Sequence, residues 1–140
     1  MMPNARDLEE VFRRIELERM KDIPILNRKL RVEAVGFSDW QGYPLGVLIT
    51  PWFMNLVWLS ESISEKSIVK FPSGELGFSA FFDPELGRFQ SCSMFSPMSD
   101  FPGQDFARET AREILRHLFT EEKGCSRRDF LRGDFGRGGA

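Results

Sequence analysis

The hydrophobic and polar positions divide the chain into a helical start, a long strand-forming middle and a helical end. Near the N-terminus, Asn4 and Asp7 have the spacing of a helix cap and its reciprocal partner. Apolar residues then recur at helical spacing, at Leu8, Val11, Phe12 and Ile15. A second helical pattern covers residues 104–119. Because the first helix has only a narrow apolar stripe, we predict that it lies on a flatter surface.

Between the helices, apolar residues follow the period of two that is typical of β-strands. Turn sequences rich in Gly, Pro, Asp and Ser interrupt the pattern at 38–42, 72–75 and 83–87. Such short gaps predict antiparallel hairpins, and the sequence lacks the alternating β and α units of a parallel sheet. We therefore predict an α+β fold: a two-layer sandwich whose mostly antiparallel sheet of five to six strands carries an N-terminal and a C-terminal helix.

The length of 140 residues corresponds to one domain. We predict a single domain at 1–122, followed at 123–140 by a flexible tail rich in Gly and Arg. The net charge of -2 argues against nucleic acid as a partner. The sequence has no apolar run long enough to span a membrane, and its charged start lacks the apolar region of a secretory signal. We expect a cytoplasmic protein that does not insert into membranes.

Residues suited to catalysis or metal binding are few. Cys92 and Cys125 form no CxxC pair, and His117, the one histidine, has no ligand partner at a usual spacing. We therefore expect no metal site, no cofactor and no enzymatic activity. The alternative is a small redox or ligand-binding enzyme that uses Cys92, which would require a nearby base; a buried structural thiol is the simpler interpretation.

Large rings are abundant, with fourteen Phe and three Trp against one Tyr. The segment 49–58 concentrates them beside Pro51. In a strand, Trp52 and Met54 share one face while Phe53 lies on the other. If a helix covers the second face, the segment belongs to the core; if not, it presents a ring to a partner. Proline favours a strand start or edge, where another chain can pair.

Five blocks resemble the HybE-type, or HupJ-type, assembly chaperones of [NiFe]-hydrogenases. They are PILN at 24–27, VEAVGF at 32–37, LGVLITPWFMNLV at 45–57, FPSGE at 71–75 and SCSMFSPM at 91–98. The resemblance implies a compact α+β chaperone that binds the precursor of the hydrogenase large subunit, the small subunit or both. It also implies that twin-arginine export is delayed until cofactor insertion is complete. A structural subunit of the final complex is a further alternative.

The resemblance does not identify the residues that contact the client. We hypothesise that apolar side chains grouped in turns and beside prolines provide this contact, because exposed rings anchor protein interfaces. The candidates are Trp40, Pro51, Trp52, Phe53, Met54, Phe95 and Met98.

The tail contains a match to the twin-arginine export consensus S/T-R-R-x-F-L-K. The matching residues are Ser126, Arg127, Arg128, Phe130 and Leu131, with Arg132 in place of the final Lys. Only eight residues follow, mostly Gly and charged, so the apolar region of a working export signal is missing. A basic tail that matches by chance is one explanation. The other is a pseudo-signal that occupies the domain's own client site or engages the export machinery.

Overall fold

The computed structural model describes residues 4–20, 26–60 and 66–120. Helix α1 spans Ala5–Ile15 and continues as a π-helical segment, Glu16–Met20. Helix α2 spans Gln104–Leu118. The strands are β1 Glu33–Trp40, β2 Tyr43–Ile49, β3 Met54–Trp58, β4 Lys66–Phe71, β5 Gly74–Asp83 and β6 Gly87–Phe95.

Helix α1 begins at the predicted cap. The Asp7 backbone N–H donates to Asn4 Oδ1 at 3.0 Å, and the Asn4 N–H donates to Asp7 Oδ2 at 3.1 Å. Together these bonds form a capping box that satisfies backbone donors in the first turn. Leu8 and Val11 from the predicted stripe are buried.

All neighbouring strands are antiparallel, in the order β1-β2-β3-β6-β5-β4. Strands β1 and β4 therefore form the two edges of the sheet. The first hairpin differs from the prediction because β1 continues through 38–40 and only Gln41 and Gly42 form the turn. Both have positive φ, 51° and 92°, which is the geometry of a two-residue hairpin loop.

The two helices lie on opposite faces of the sheet. On one side, called the α2 face, Val47 and Leu56 pack with Ile114 of α2. On the other, the α1 face, Leu48 and Val57 pack with α1. The α+β class, the antiparallel sheet and the two terminal helices are confirmed, but there are three layers rather than the predicted two. The reason is that β2 and β3 carry apolar residues at successive positions, so both of their faces require cover.

The sheet curls around the C-terminal end of α2. The rings of Trp40 and Phe71 stack with centroids 4.6 Å apart, although they belong to the two edge strands. The β4–β5 turn also reaches α2, where the Ser73 N–H donates to the Leu118 carbonyl. Gly36, in the irregular part of β1, has φ +67°, and a Cβ there would lie 2.5 Å from the Leu115 side chain. Glycine thus allows β1 to approach the helix closely.

Candidate partner-binding surfaces

The turn between β2 and β3 is organised by the buried side chain of Thr50. Its Oγ1 accepts from the N–H groups of Trp52 and Phe53 at 3.2 and 2.9 Å, and its hydroxyl donates to the Phe53 carbonyl at 3.0 Å. The two rings lie beside Phe12 of α1, with centroid distances of 6.4 and 5.9 Å. Trp52 and Phe53 therefore remain half-buried in a fixed turn.

Asn27 connects this turn to the loop that follows β6. Its Nδ2 donates to the carbonyls of Met98 and Phe101, both at 2.8 Å. Its backbone N–H donates to the Pro51 carbonyl at 2.8 Å. Phe95, at the end of β6, packs edge-on against Phe101 with centroids 5.3 Å apart. Hydrogen bonds as well as apolar packing therefore hold the β2–β3 turn and the loop after β6 together.

The predicted contact residues do not all reach the surface. Pro51 is buried, and the side chains of Met54 and Met98 are fully buried in the core. Met54 points to the α2 face, where it packs in the main apolar cluster, and Met98 belongs to the same cluster. The hypothesis is corrected for these three residues, because a side chain without exposed surface offers none to a partner.

The remaining candidates fall into two groups at opposite ends of β2. Trp40 pairs with Tyr43 at the start of that strand, whereas Trp52 and Phe53 lie in the turn beyond its end. Phe95 pairs with Met54 and so lies at the same end as the turn. The candidates that keep exposed surface therefore lie in two separate places.

Trp40 forms part of an aromatic cluster at the C-terminal end of α2. Its ring lies 5.1 Å from that of Trp58 and 6.5 Å from that of Phe119, and Trp58 Nε1 donates to the Trp40 carbonyl. Phe71 completes the cluster. Phe119 is exposed, and both tryptophans are partly exposed, so this end also presents apolar surface.

A charged network, missed at the sequence level, joins β1 to the start of α2. Arg108 Nε donates to Glu33 Oε2 at 2.9 Å, and Gln104 Nε2 donates to Glu33 Oε1 at 2.9 Å. Burial acts to raise the pKa of Glu33, but the hydrogen bonds from Arg108 and Gln104 and the positive charges of Arg108 and Arg31 together hold that pKa below its ordinary value. The partners are more than 70 positions apart in sequence, so no local pattern indicates them.

Cys92 lies in the core on the α2 face. Burial raises the pKa of its thiol to about 11. Because the thiolate is the nucleophilic form, this environment makes Cys92 a poor nucleophile near neutral pH. In the described ranges, no group of three or more His, Cys, Asp or Glu side chains is arranged to hold a metal ion. None of the helices described is long and apolar enough to cross a membrane.

The tail motif lies outside the described residues. This applies to Ser126, Arg127, Arg128, Phe130 and Leu131. The boundary between a domain at 1–122 and a tail at 123–140 falls there as well, so both remain predictions.

Partly exposed aromatic rings held in ordered turns are features of a protein-binding domain. Comparison with known proteins identifies the family to which this protein-binding domain belongs. The family model described as [NiFe]-hydrogenase assembly, chaperone, HybE matches residues 3–133. The chain therefore belongs to the HybE family of hydrogenase assembly chaperones, as its sequence blocks indicated.

Similar proteins carry names from hydrogenase formation. Protein HoxT of Cupriavidus necator is 41% identical over 136 residues, covering 81% of this chain and 74% of the relative. Hydrogenase expression/formation protein HupJ of Bradyrhizobium diazoefficiens is 37% identical, covering 87% and 83%. The solution structure of HybE from Escherichia coli matches with a TM-score of 0.64 at 21% identity, covering 88% of this chain and 83% of that one. This structural match supports the fold.

Proposed function

We propose that this protein binds precursors of the hydrogenase large subunit, the small subunit or both, and delays twin-arginine export until cofactor insertion is complete. The observation that carries the proposal is the family match across residues 3–133, which includes every described element. Such a chaperone acts before export, so its place is the cytoplasm, and its task is binding rather than catalysis.

The contact surface that we propose combines the β2–β3 turn with the end of β6. Trp52 and Phe53 present partly exposed rings, and Phe95 adds a third at the same end of the sheet. Because Thr50 and Asn27 already fix the backbone around them, ordering these rings on binding costs little entropy. Trp40 offers a second contact at the other end.

The tail motif supports a further part of the proposal, a pseudo-signal that competes with the client's own signal. Ser126, Arg127 and Arg128, with Phe130 and Leu131, would occupy the client site until a real signal displaces them. Removing residues 124–140 should therefore raise the affinity for a twin-arginine signal peptide. Unchanged affinity in a titration of the truncated protein would contradict self-occupancy and leave the client-binding proposal intact.

The test of the main proposal is a pull-down of the tagged protein from its native host during hydrogenase expression, with partners identified by mass spectrometry. We expect unprocessed hydrogenase subunits and no mature enzyme. Recovery of the mature complex would favour a structural subunit. Recovery of neither would contradict the proposal and leave the Cys92-dependent enzyme as the alternative. A Cys92→Ser variant that still supports normal hydrogenase maturation would contradict that alternative.

Point variants test the contact residues. Phe53→Ala and Trp40→Ala should weaken capture of the precursors, whereas Leu17→Ala, which changes an exposed residue of the π-helical segment, should not. If both ring variants fold normally and capture precursor as well as the unmodified protein does, these residues are not the contacts.

A further inference from the structure

The outer strands β4 and β5 have an apolar surface that α1 does not cover. Ile68 and Phe81 lie on the α1 face, 68% and 50% exposed. Phe82, on the opposite face near the end of β5, is 70% exposed. Helix α1 instead packs along β1 and in an apolar cluster with Leu48 of β2 and Val57 of β3, and Leu86 and Phe89 belong to the same cluster. Large side chains left this exposed are a common feature of interaction sites.

Two cations flank these rings. Lys66 and Arg88, with Phe81 and Phe82, line a surface hollow of about 400 Å³. Within the described part of the chain, neither cation has a hydrogen bond or an ion pair. The lining of the hollow contains these two cations and no carboxylate, although the protein as a whole carries a net charge of -2. Cations beside exposed rings complement a partner segment that is both acidic and apolar.

The backbone of β4 is also open at its outer edge. On the opposite edge, helix side chains occupy groups on and beside β1: the Ala34 N–H donates to Glu9 at 2.7 Å and the Arg31 N–H to Gln104 at 2.9 Å. Among the described residues, none bonds in this way to the outer edge of β4. An unpaired edge strand is a template for an added strand from another chain.

We infer that the outer edge of β4, together with Ile68, Phe81 and Phe82, binds an extended acidic and apolar segment of the precursor. The inference rests on the proposed function and adds a place and a chemical class of ligand to it. The added strand would set its apolar side chains on the exposed rings and its carboxylates near Lys66 and Arg88. The occupant thus belongs to the body of the client rather than to its twin-arginine signal, since a basic signal is repelled here.

Other occupants fit the surface less well. The protein's own tail at 123–140 has five basic and two acidic residues, so it has the same sign of charge as the surface. A second copy pairing through β4 about Ile68 would place Lys66 opposite Lys70, and like charges directly across a strand pair are destabilising.

The experiment uses the full chain with purified large-subunit and small-subunit precursors of the host's hydrogenase, with affinities measured by titration. The double variants are Lys66→Glu/Arg88→Glu and Ile68→Ser/Phe82→Ser. Lys66, Ile68 and Phe82 are exposed and Arg88 is partly exposed, and thermal unfolding checks that the variants fold. A control, Lys29→Glu/Leu17→Ser, makes the same kinds of change elsewhere. We expect each surface variant to lose about tenfold or more in affinity for a precursor, and the control to bind as the unmodified protein does.

Each other outcome has a definite meaning. If the unmodified protein binds neither precursor, the proposed function and this inference fail together. If it binds and both surface variants bind equally well, only the inference fails. The inference also fails if Lys66→Glu/Arg88→Glu no longer changes the affinity once the signal peptide is removed from the precursor. The surface would then bind the signal peptide rather than the body of the client. It fails as well if sedimentation shows a dimer that Ile68→Ser/Phe82→Ser dissociates.

Discussion

Asn27 illustrates how one side chain positions several segments that are distant in sequence. Its amide donates to two carbonyls of the loop after β6, and its Oδ1 accepts from the Lys29 N–H at 3.0 Å. Both polar atoms of the amide are thus used in a half-buried location. Only an amide of this length supplies two donors and an acceptor at this point.

Replacing Asn27 should therefore destabilise the fold. We expect Asn27→Ala to lower the free energy of unfolding by about 1–3 kcal/mol, because two carbonyls lose their donor. Asn27→Asp, although of the same shape, should cost at least as much because it places a carboxylate against those carbonyls. Urea unfolding measures both, with Lys29→Ala as an exposed neighbouring control. Equal stability of Asn27→Asp and the unmodified protein would contradict this account.

At the scale of elements, the contact between β1 and β2 depends on a missing side chain. A Cβ at Gly46 would lie 2.4 Å from the ring of Phe37, so the ring packs directly over the backbone of β2. Phe37 in turn belongs to the apolar cluster on the α1 face. Close packing of this kind leaves no room for an added methyl group.

Gly46→Ala should accordingly lower the free energy of unfolding by about 1–3 kcal/mol through overpacking. The same substitution made in a Phe37→Ala background should cost clearly less, since the clashing ring is gone. Gly77→Ala, also in a strand, is the matched control, because its Cβ would lie in ordinary contact, 3.8 Å from the Ile68 side chain. If the cost of Gly46→Ala is the same in both backgrounds, the ring contact is not its cause.

At the scale of the whole molecule, the Glu33–Arg108 pair ties the edge strand β1 to the helix on the α2 face. The Glu33 pKa is lower in the folded protein than its ordinary value of 4.5. The ionised carboxylate therefore stabilises the fold above that pH, and this contribution is lost as the pH falls through the folded pKa. Protonation of Glu33 in acid should therefore weaken the attachment of α2 to β1.

We expect Glu33→Gln to lower Tm at neutral pH, where the ion pair is intact. The difference from the unmodified protein should shrink as the pH falls below about 4.5, because protonation then weakens the same pair. Thermal unfolding followed by circular dichroism between pH 7 and pH 3 measures it, with Glu10→Gln as an exposed control. A Tm difference that stays constant across this range would rule out the electrostatic explanation.

The sequence by itself determined the local elements and the family. The capping box at Asn4 and Asp7, the α2 helix and most of the strands follow from periodicity and turn residues, because these signals act within a few positions of the chain. The two-layer arrangement was not correct, since the pattern alone does not say which helix covers which face. Only the tertiary structure buries Met54 and Met98, separates Trp40 from Trp52, and brings Glu33 to Arg108. It also leaves the adjacent pair Phe81 and Phe82 exposed on opposite faces of one strand. Such outcomes depend on which strands become neighbours and on how the sheet curls, and long-range packing decides both.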